Sequence, residues 1–191
     1  MGIPQEQDYE LAYWEGRKGK HDDRASVMAR IFGELPDSEE AADIGCGPRG
    51  GIFCVHSFSS MYAVDPLWTR YHREGLVDLP DGVEEVEGYA ETFKLPELVG
   101  VMFSVNALDH SGDIYASLEN MSCNLKRGGS LFLHVHMRTK EQLNAGHKML
   151  IKEEDIDKAL NNIGKLDKRI YEECPLDRKP YRSYVATVVK K

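Results

Sequence analysis

Apolar positions along this chain fall into two alternating rhythms. Leu11, Tyr13 and Trp14, then Val27, Met28, Ile31 and Phe32, recur at helical spacing. They predict helix over about 7–34, broken near Gly16 and Gly19. Leu35-Pro36-Asp37-Ser38 reads as a turn, and a buried strand follows, ending in Ala41-Ala42-Asp43-Ile44. Ile52, Phe53, Val55 and Phe58 mark a short helix, residues 61–65 a second strand, Leu67 to Arg73 a brief helix and Val83 to Tyr89 a third strand. Gly100 to Asn106 is continuously apolar, as a strand buried on both faces requires. Ser111-Gly112-Asp113 caps a helix running to about Leu125, and Ser130 to Met137 is a fifth strand. The segment from Arg138 to Leu160 is polar and helix-forming; its last helix opens on Glu153-Glu154-Asp155 and closes at Asn161-Asn162-Ile163-Gly164. Two alternating stretches, near Lys165–Glu172 and Ser183–Val189, form a hairpin joined through Cys174-Pro175-Leu176-Asp177 and Lys179-Pro180. The sum is an α/β chain: a doubly wound, mostly parallel, seven-stranded sheet with an antiparallel C-terminal edge hairpin.

Candidate chemistry sits where the first strand ends. Gly45, Gly47 and Gly50 give the spacing G-x-G-x-x-G, a Rossmann-like fingerprint. Glycines let the chain turn sharply and lie close to a ligand, and a following helix would offer free N–H groups to an anion. About twenty residues on, Met61-Tyr62-Ala63-Val64-Asp65 ends in a carboxylate that can accept both hydroxyls of a ribose. Asp43 selects among nucleosides. A carboxylate at that strand tip serves a diphosphate poorly and a ligand with an ammonium group well.

Asp43-Ile44-Gly45-Cys46-Gly47 resembles motif I, Asp-x-Gly-x-Gly, of the class I S-adenosylmethionine-dependent methyltransferases. Ala63-Val64-Asp65-Pro66-Leu67 is similar to their second acidic motif. Asn106-Ala107-Leu108-Asp109-His110 is similar to a fourth-motif variant of the small-molecule and saccharide-type members, and Lys126-Arg127-Gly128-Gly129 to their basic–Pro-Gly-Gly turn. The resemblance spans about 40–137. It implies S-adenosyl-L-methionine as cofactor, held by Asp43, Gly45, Cys46, Gly47, Asp65, Pro66, Ala90, Glu91, Asn106 and Ala107. Tyr89 stands where the family places an acid before the adenine-facing alanine, and Glu91 comes one place late. The N-terminal helices resemble a segment that lies over the cofactor, which makes Tyr13 a substrate contact; the alternative is that Tyr13 and Trp14 only fasten the helix to the core.

Totals narrow the picture further. The chain has 191 residues, enough for one domain: a helical cap over 1–39, a cofactor-binding core over 40–137 and the end of the sheet over 138–191. The net charge of −8 argues against nucleic acid as a partner, and the basic runs at Arg17-Lys18-Gly19-Lys20 and near the C-terminus are ringed by acids. Cys46, Cys54, Cys123 and Cys174 have no metal or disulfide spacing, and Cys46 reads as a small spacer in the glycine turn. No signal sequence or membrane-length apolar run is legible, so a cytoplasmic protein is expected. The oligomeric state is not written in the sequence.

For methyl transfer the protein must mainly align an acceptor with an activated methyl, and a hydroxyl acceptor also needs a base. His110 is the candidate base, with Asp109 orienting it or holding the acceptor; the alternative makes Asp109 a cap and His110 a surface residue. His136, near the end of strand five, is a candidate substrate contact, and His134 a core histidine. His110, His134, His136 and His147 lack a carboxylate or cysteine to complete a metal set, so no metal is expected. The reading is methyl transfer to a small, hydroxyl-bearing acceptor, possibly a saccharide. The alternatives are an NAD(P)-dependent oxidoreductase, which shares the glycine spacing and Asp65, and a non-catalytic S-adenosylmethionine-binding regulatory domain.

Overall fold

A computed structural model describes residues 4–18, 31–33, 35–36, 38–173 and 181–191. Val27 and Met28, Asp37 of the turn at 35–38 and the connection through Cys174, Pro175, Leu176, Asp177, Lys179 and Pro180 lie outside the described residues. Four helices are described: α1 (Pro4–Glu15), α2 (Trp68–Arg73), α3 (Ile114–Asn124) and α4 (Glu153–Ile163). Seven strands, β1 (Glu40–Ile44), β2 (Ser60–Asp65), β3 (Val83–Glu87), β4 (Val99–Val105), β5 (Leu125–His136), β6 (Gly164–Tyr171) and β7 (Ser183–Lys190), form one sheet.

The sheet order is β3-β2-β1-β4-β5-β7-β6. β7 alone runs against its neighbours β5 and β6, so it is inserted between them and β6 is the edge. Alternation along the strands divides the core into two layers. Ala42, Ile44, Tyr62, Val64, Met102, Leu131 and Leu133 pack with α3 and α4. Ile156, Ala159, Leu160 and Ile163 supply the buried stripe of α4 at helical spacing. Ala41, Ala63, Val101, Phe103 and Phe132 face the other way, toward Leu11, Trp14, Ile52, Phe53, Trp68 and Tyr71. Phe103 and Phe132 stack across β4 and β5 at 5.3 Å.

Three local expectations are corrected. The glycine turn leads into two short 3-10 turns, Gly47–Arg49 and Gly51–Cys54, and not into an α-helix. Pro48 and the left-handed Gly50 (φ +66) and Gly51 (φ +42) interrupt the ladder that an α-helix needs. Lys126-Arg127-Gly128-Gly129 is not a free turn but part of β5, where the register with β4 shifts between Val99 and Val101. The stretch before α4 holds only a 3-10 turn, Lys140–Gln142, closed by a capping box from Thr139 to Gln142, and then irregular chain.

Candidate active site

β1, β2 and β4 end at a common edge, and a cleft of about 720 Å³, its open mouth included, lies beyond it. Of the residues the sequence singled out, Gly45, Asp65, Pro66, Ala90, Glu91, Asn106, Ala107 and His110 line this cleft. Gly45 has φ +71, and a Cβ there would come within 2.3 Å of the Ala107 Cβ, so only glycine lets β1 turn beside the end of β4.

Asp65 ends β2 nearly buried. Its Oδ2 accepts the Gly47 N–H and its Oδ1 the Leu67 N–H, both at 3.0 Å. Burial raises its pKa to about 7, the two N–H groups pull against that, Glu10 adds to the rise and His110 opposes it. Asn106 sits at φ +53, a left-handed geometry that asparagine tolerates better than most residues. Its Oδ1 is buried with no hydrogen-bond partner among the described residues. Strain and an unmet acceptor at a cleft wall mark a place built for a donor.

Asp43 does not line the cleft. It shares the strand phase of Ala41, so its side chain turns beneath the glycine loop, where Oδ2 accepts the Ile52 N–H at 3.1 Å. A Cβ on Gly51 would fall 2.1 Å from that oxygen. Asp43 thus secures the second 3-10 turn. Burial pushes its pKa up to about 7 against that bond. Cys46 is buried with its Sγ toward the Gly47 carbonyl, and burial and the nearby Asp65 and Asp43 carry its thiol well above the usual range. Gly47 is covered by Trp14: an added Cβ would sit 2.5 Å from the indole. Tyr13 is off the cleft, edge-on to Trp14 with the Arg17 guanidinium over its ring.

Six further residues line the cleft: Gln7, Glu10 and Gly88, which the sequence reading left out, and Leu67, Tyr89 and Ser111, which it named without assigning them to the site. Gln7 and Glu10 share with Trp14 one face of α1, at i, i+3 and i+7, a pattern the sequence carries. The Gln7 amide donates to the Tyr89 hydroxyl at 2.6 Å and the Trp14 indole N–H to Glu10 at 2.7 Å, so α1 walls one side of the cleft. Glu91 accepts the Gly112 N–H at 2.6 Å, tying the cleft to the start of α3.

Behind His110 lies a second polar group of residues. Asp109 is 1% exposed. Its Oδ2 meets Arg138 Nε at 3.2 Å and His147 Nδ1 at 2.8 Å, and its Oδ1 is 3.9 Å from His110 Nε2. Burial alone would raise its carboxyl; the His147 contact and the charges of His110, His147 and Arg138 hold it well below the usual range. The carboxylate missing from the sequence-level histidine set is therefore Asp109. His136 is not in the cleft: it is buried, packed on Tyr181 and 3.3 Å from Arg138 Nη2. His134 is a core residue whose pKa falls to about 3, chiefly through burial.

No family model matches the chain, and no curated protein matches it in sequence. Solved structures match its fold over nearly its whole length. The Bradyrhizobium japonicum WM9 N-methyltransferase NodS, in complex with S-adenosyl-L-homocysteine, superposes with a TM-score of 0.67 at 15% identity, over 95% of this chain and 98% of that one. CalS10, an amino pentose methyltransferase from Micromonospora echinaspora solved with S-adenosylmethionine, gives 0.61 at 20% identity, over 95% and 96%. The chain has the S-adenosylmethionine-dependent methyltransferase fold. A chain from the Haloferax volcanii complex of the Trm112 methyltransferase activator with a putative methyltransferase shares this methyltransferase fold at a TM-score of 0.69 and 13% identity, over 98% and 97%. The inserted antiparallel β7 departs from the 3-2-1-4-5-6 order of dinucleotide-binding sheets.

Proposed function

We propose that this protein is an S-adenosylmethionine-dependent methyltransferase acting on a small, hydroxyl-bearing acceptor, a saccharide being the class favoured. The observation that carries the reading is the charge of the cleft. Glu10, Asp65 and Glu91 line it, and among the described residues no lysine or arginine does. Such a wall favours a ligand with sulfonium and ammonium charges and opposes a diphosphate. The lack of an α-helix after the glycine turn also removes the anion seat that a pyridine dinucleotide would use. The saccharide class rests on the Asn106–His110 resemblance and on the fold shared with CalS10.

In this reading Asp65 accepts the ribose hydroxyls, Ala90 and its neighbours meet the adenine, and Gly45 and Ala107 let the amino-acid end lie against backbone. Asn106 Oδ1 and Glu10 answer the positive charge that Asp43 was expected to meet. The cofactor supplies a methyl already activated on sulfur. The protein then has to fix the acceptor in line and take its proton, and His110, at the cleft wall, is the base. The whole chain acts as one domain. Among the described residues no helix is long and apolar enough to cross a membrane.

The direct test is thermal unfolding with S-adenosylhomocysteine or NAD. At one hundred times its dissociation constant the former should add about 2.7 kcal/mol, a rise of roughly 5–10 °C for a chain this size. NAD should add nothing; the reverse pattern would overturn the reading. Turnover with a panel of sugar and other hydroxyl acceptors then separates an enzyme from a binding domain. His110→Ala should lower turnover about 100-fold or more while leaving S-adenosylhomocysteine affinity within about twofold. A full-speed variant removes the base assignment.

A further inference from the structure

Asp109, His110 and His147 offer one carboxylate and two imidazoles whose donor atoms all lie within 4.8 Å of one another. We propose that these three residues bind a first-row divalent transition-metal ion at the edge of the cleft. Two imidazoles and a carboxylate are a donor set for zinc, iron or cobalt and a poor one for magnesium or calcium.

The carboxylate supports an ion on independent grounds. Asp109 Oδ1 is buried and has no hydrogen-bond partner among the described residues, although Oδ2 of the same group is engaged by both Arg138 and His147. A buried carboxylate oxygen left bare is expensive, and a cation is the natural occupant of the space it faces. Arg138 does not fill that space: its Nε holds Oδ2, its Nη2 turns to His136, and its guanidinium lies 4.7 Å over the Tyr181 ring. Oδ1 is left directed toward His110 Nε2.

The histidines come from segments that can close. His110 ends a three-residue 3-10 turn after β4. His147 stands in a tight turn where Asn144 Oδ1 accepts the N–H groups of both Gly146 and His147. The two rings already lie 4.4 Å apart. Ligands around one ion sit about 3–3.5 Å from each other at bond lengths near 2 Å, so side-chain rotation must bring the donors together. Tyr9 of α1 packs on Gly146 and edge-on to His147, which fixes this turn against the helix that walls the cleft. His110 is shared between the ion and the cleft, which leaves open coordination positions on the acceptor side. The ion's role, though not its binding, rests on the methyl-transfer reading: where the ion is bound it would lower the pKa of an acceptor hydroxyl so that its proton leaves to water, taking the place of the proton abstraction by His110 in the metal-free site.

The test uses the untagged full chain, stripped with a chelator and titrated with Co²⁺ while visible absorption and heat are recorded. One equivalent should bind, with the absorption bands of nitrogen and oxygen ligation, and Zn²⁺ should displace it. His147→Ala and Asp109→Asn should each weaken Co²⁺ binding about tenfold or more, whereas His72→Ala, at an exposed histidine paired with Glu85, should leave it unchanged. Should Asp109→Asn fail to fold, the loop variant His147→Ala decides alone. No saturable Co²⁺ uptake by folded protein, or unaltered affinity and spectrum in His147→Ala, overturns the site. S-adenosylhomocysteine binding on the same samples keeps the two proposals apart: a cobalt-silent protein that still binds it loses the ion site and keeps the methyltransferase reading.

Discussion

Asp65→Asn is expected to weaken S-adenosylhomocysteine binding about 10–100-fold and to flatten its dependence on pH. Both carboxylate oxygens already hold a backbone N–H, from Gly47 and from Leu67, and each keeps a lone pair for the cleft. Asparagine replaces one acceptor with a donor that meets an N–H head-on. The pH effect follows from the raised pKa. The charged and titratable groups around Asp65 are Glu10 from α1, His110 after β4, Cys46 in the glycine turn and Tyr71 in α2. With burial leading, the folded-state value is about 7 against an ordinary 3.8. The contribution of this group to folding is therefore fully present below the ordinary value and is lost as pH climbs through about 7. Ligand binding goes the other way, because two hydroxyl donors and a cationic ligand require the ionised acid. Affinity should rise with pH and level off above about 8; at about pH 5 only about 1% of Asp65 is ionised, which lowers affinity as much as 100-fold. Calorimetric titration across this range checks it. A flat wild-type profile, or equal affinity in the Asn variant, would remove Asp65 from the ribose site.

β2 and β4 were legible because each is a compact apolar run with a polar residue at or just past its carboxyl end, and those residues, Asp65 and Asn106, are where the cleft opens. Spacing alone could not show which way a residue at a strand tip points. Asp43 lies one residue out of phase with a cleft-facing position, so it caps the Ile52 turn. His136 has the same difficulty: β7 pairs it with Ser183 and Tyr181 closes over it. The helix expected after the glycine turn failed because Pro48, Gly50 and Gly51 fall within four positions, and backbone restriction outweighed the apolar pattern of Ile52, Phe53 and Val55. The contacts of His147 with Asp109 and His110 join residues nearly forty positions apart through an irregular segment, and no periodicity encodes that. The face of α1 carrying Gln7, Glu10 and Trp14 could have been read, since its spacing is helical; the aromatic Tyr13 beside it drew attention to the wrong side of the helix.

Asp109→Ala is expected to destabilise the metal-free protein by about 3–5 kcal/mol, whatever its effect on turnover. The reason is what the change leaves behind. Arg138 is 6% exposed, and its charge is met by Asp109 Oδ2 and by the face of Tyr181. Removing the carboxylate strands that guanidinium in a place water does not reach, and it also unseats His147, whose Nδ1 lies 2.8 Å from the lost oxygen. The loss then measures an abandoned charge more than the worth of the pair. That distinction can be tested, because a pair removed together leaves no charge to desolvate. The double variant Asp109→Ala with Arg138→Met should recover most of the deficit, returning to within about 1–2 kcal/mol of the parent in urea unfolding, with an unchanged m-value. Two losses that simply add would mean that Arg138 stabilises the end of β5 by its own packing against His136 and Tyr181, and that the charge of Asp109 is incidental to the fold there.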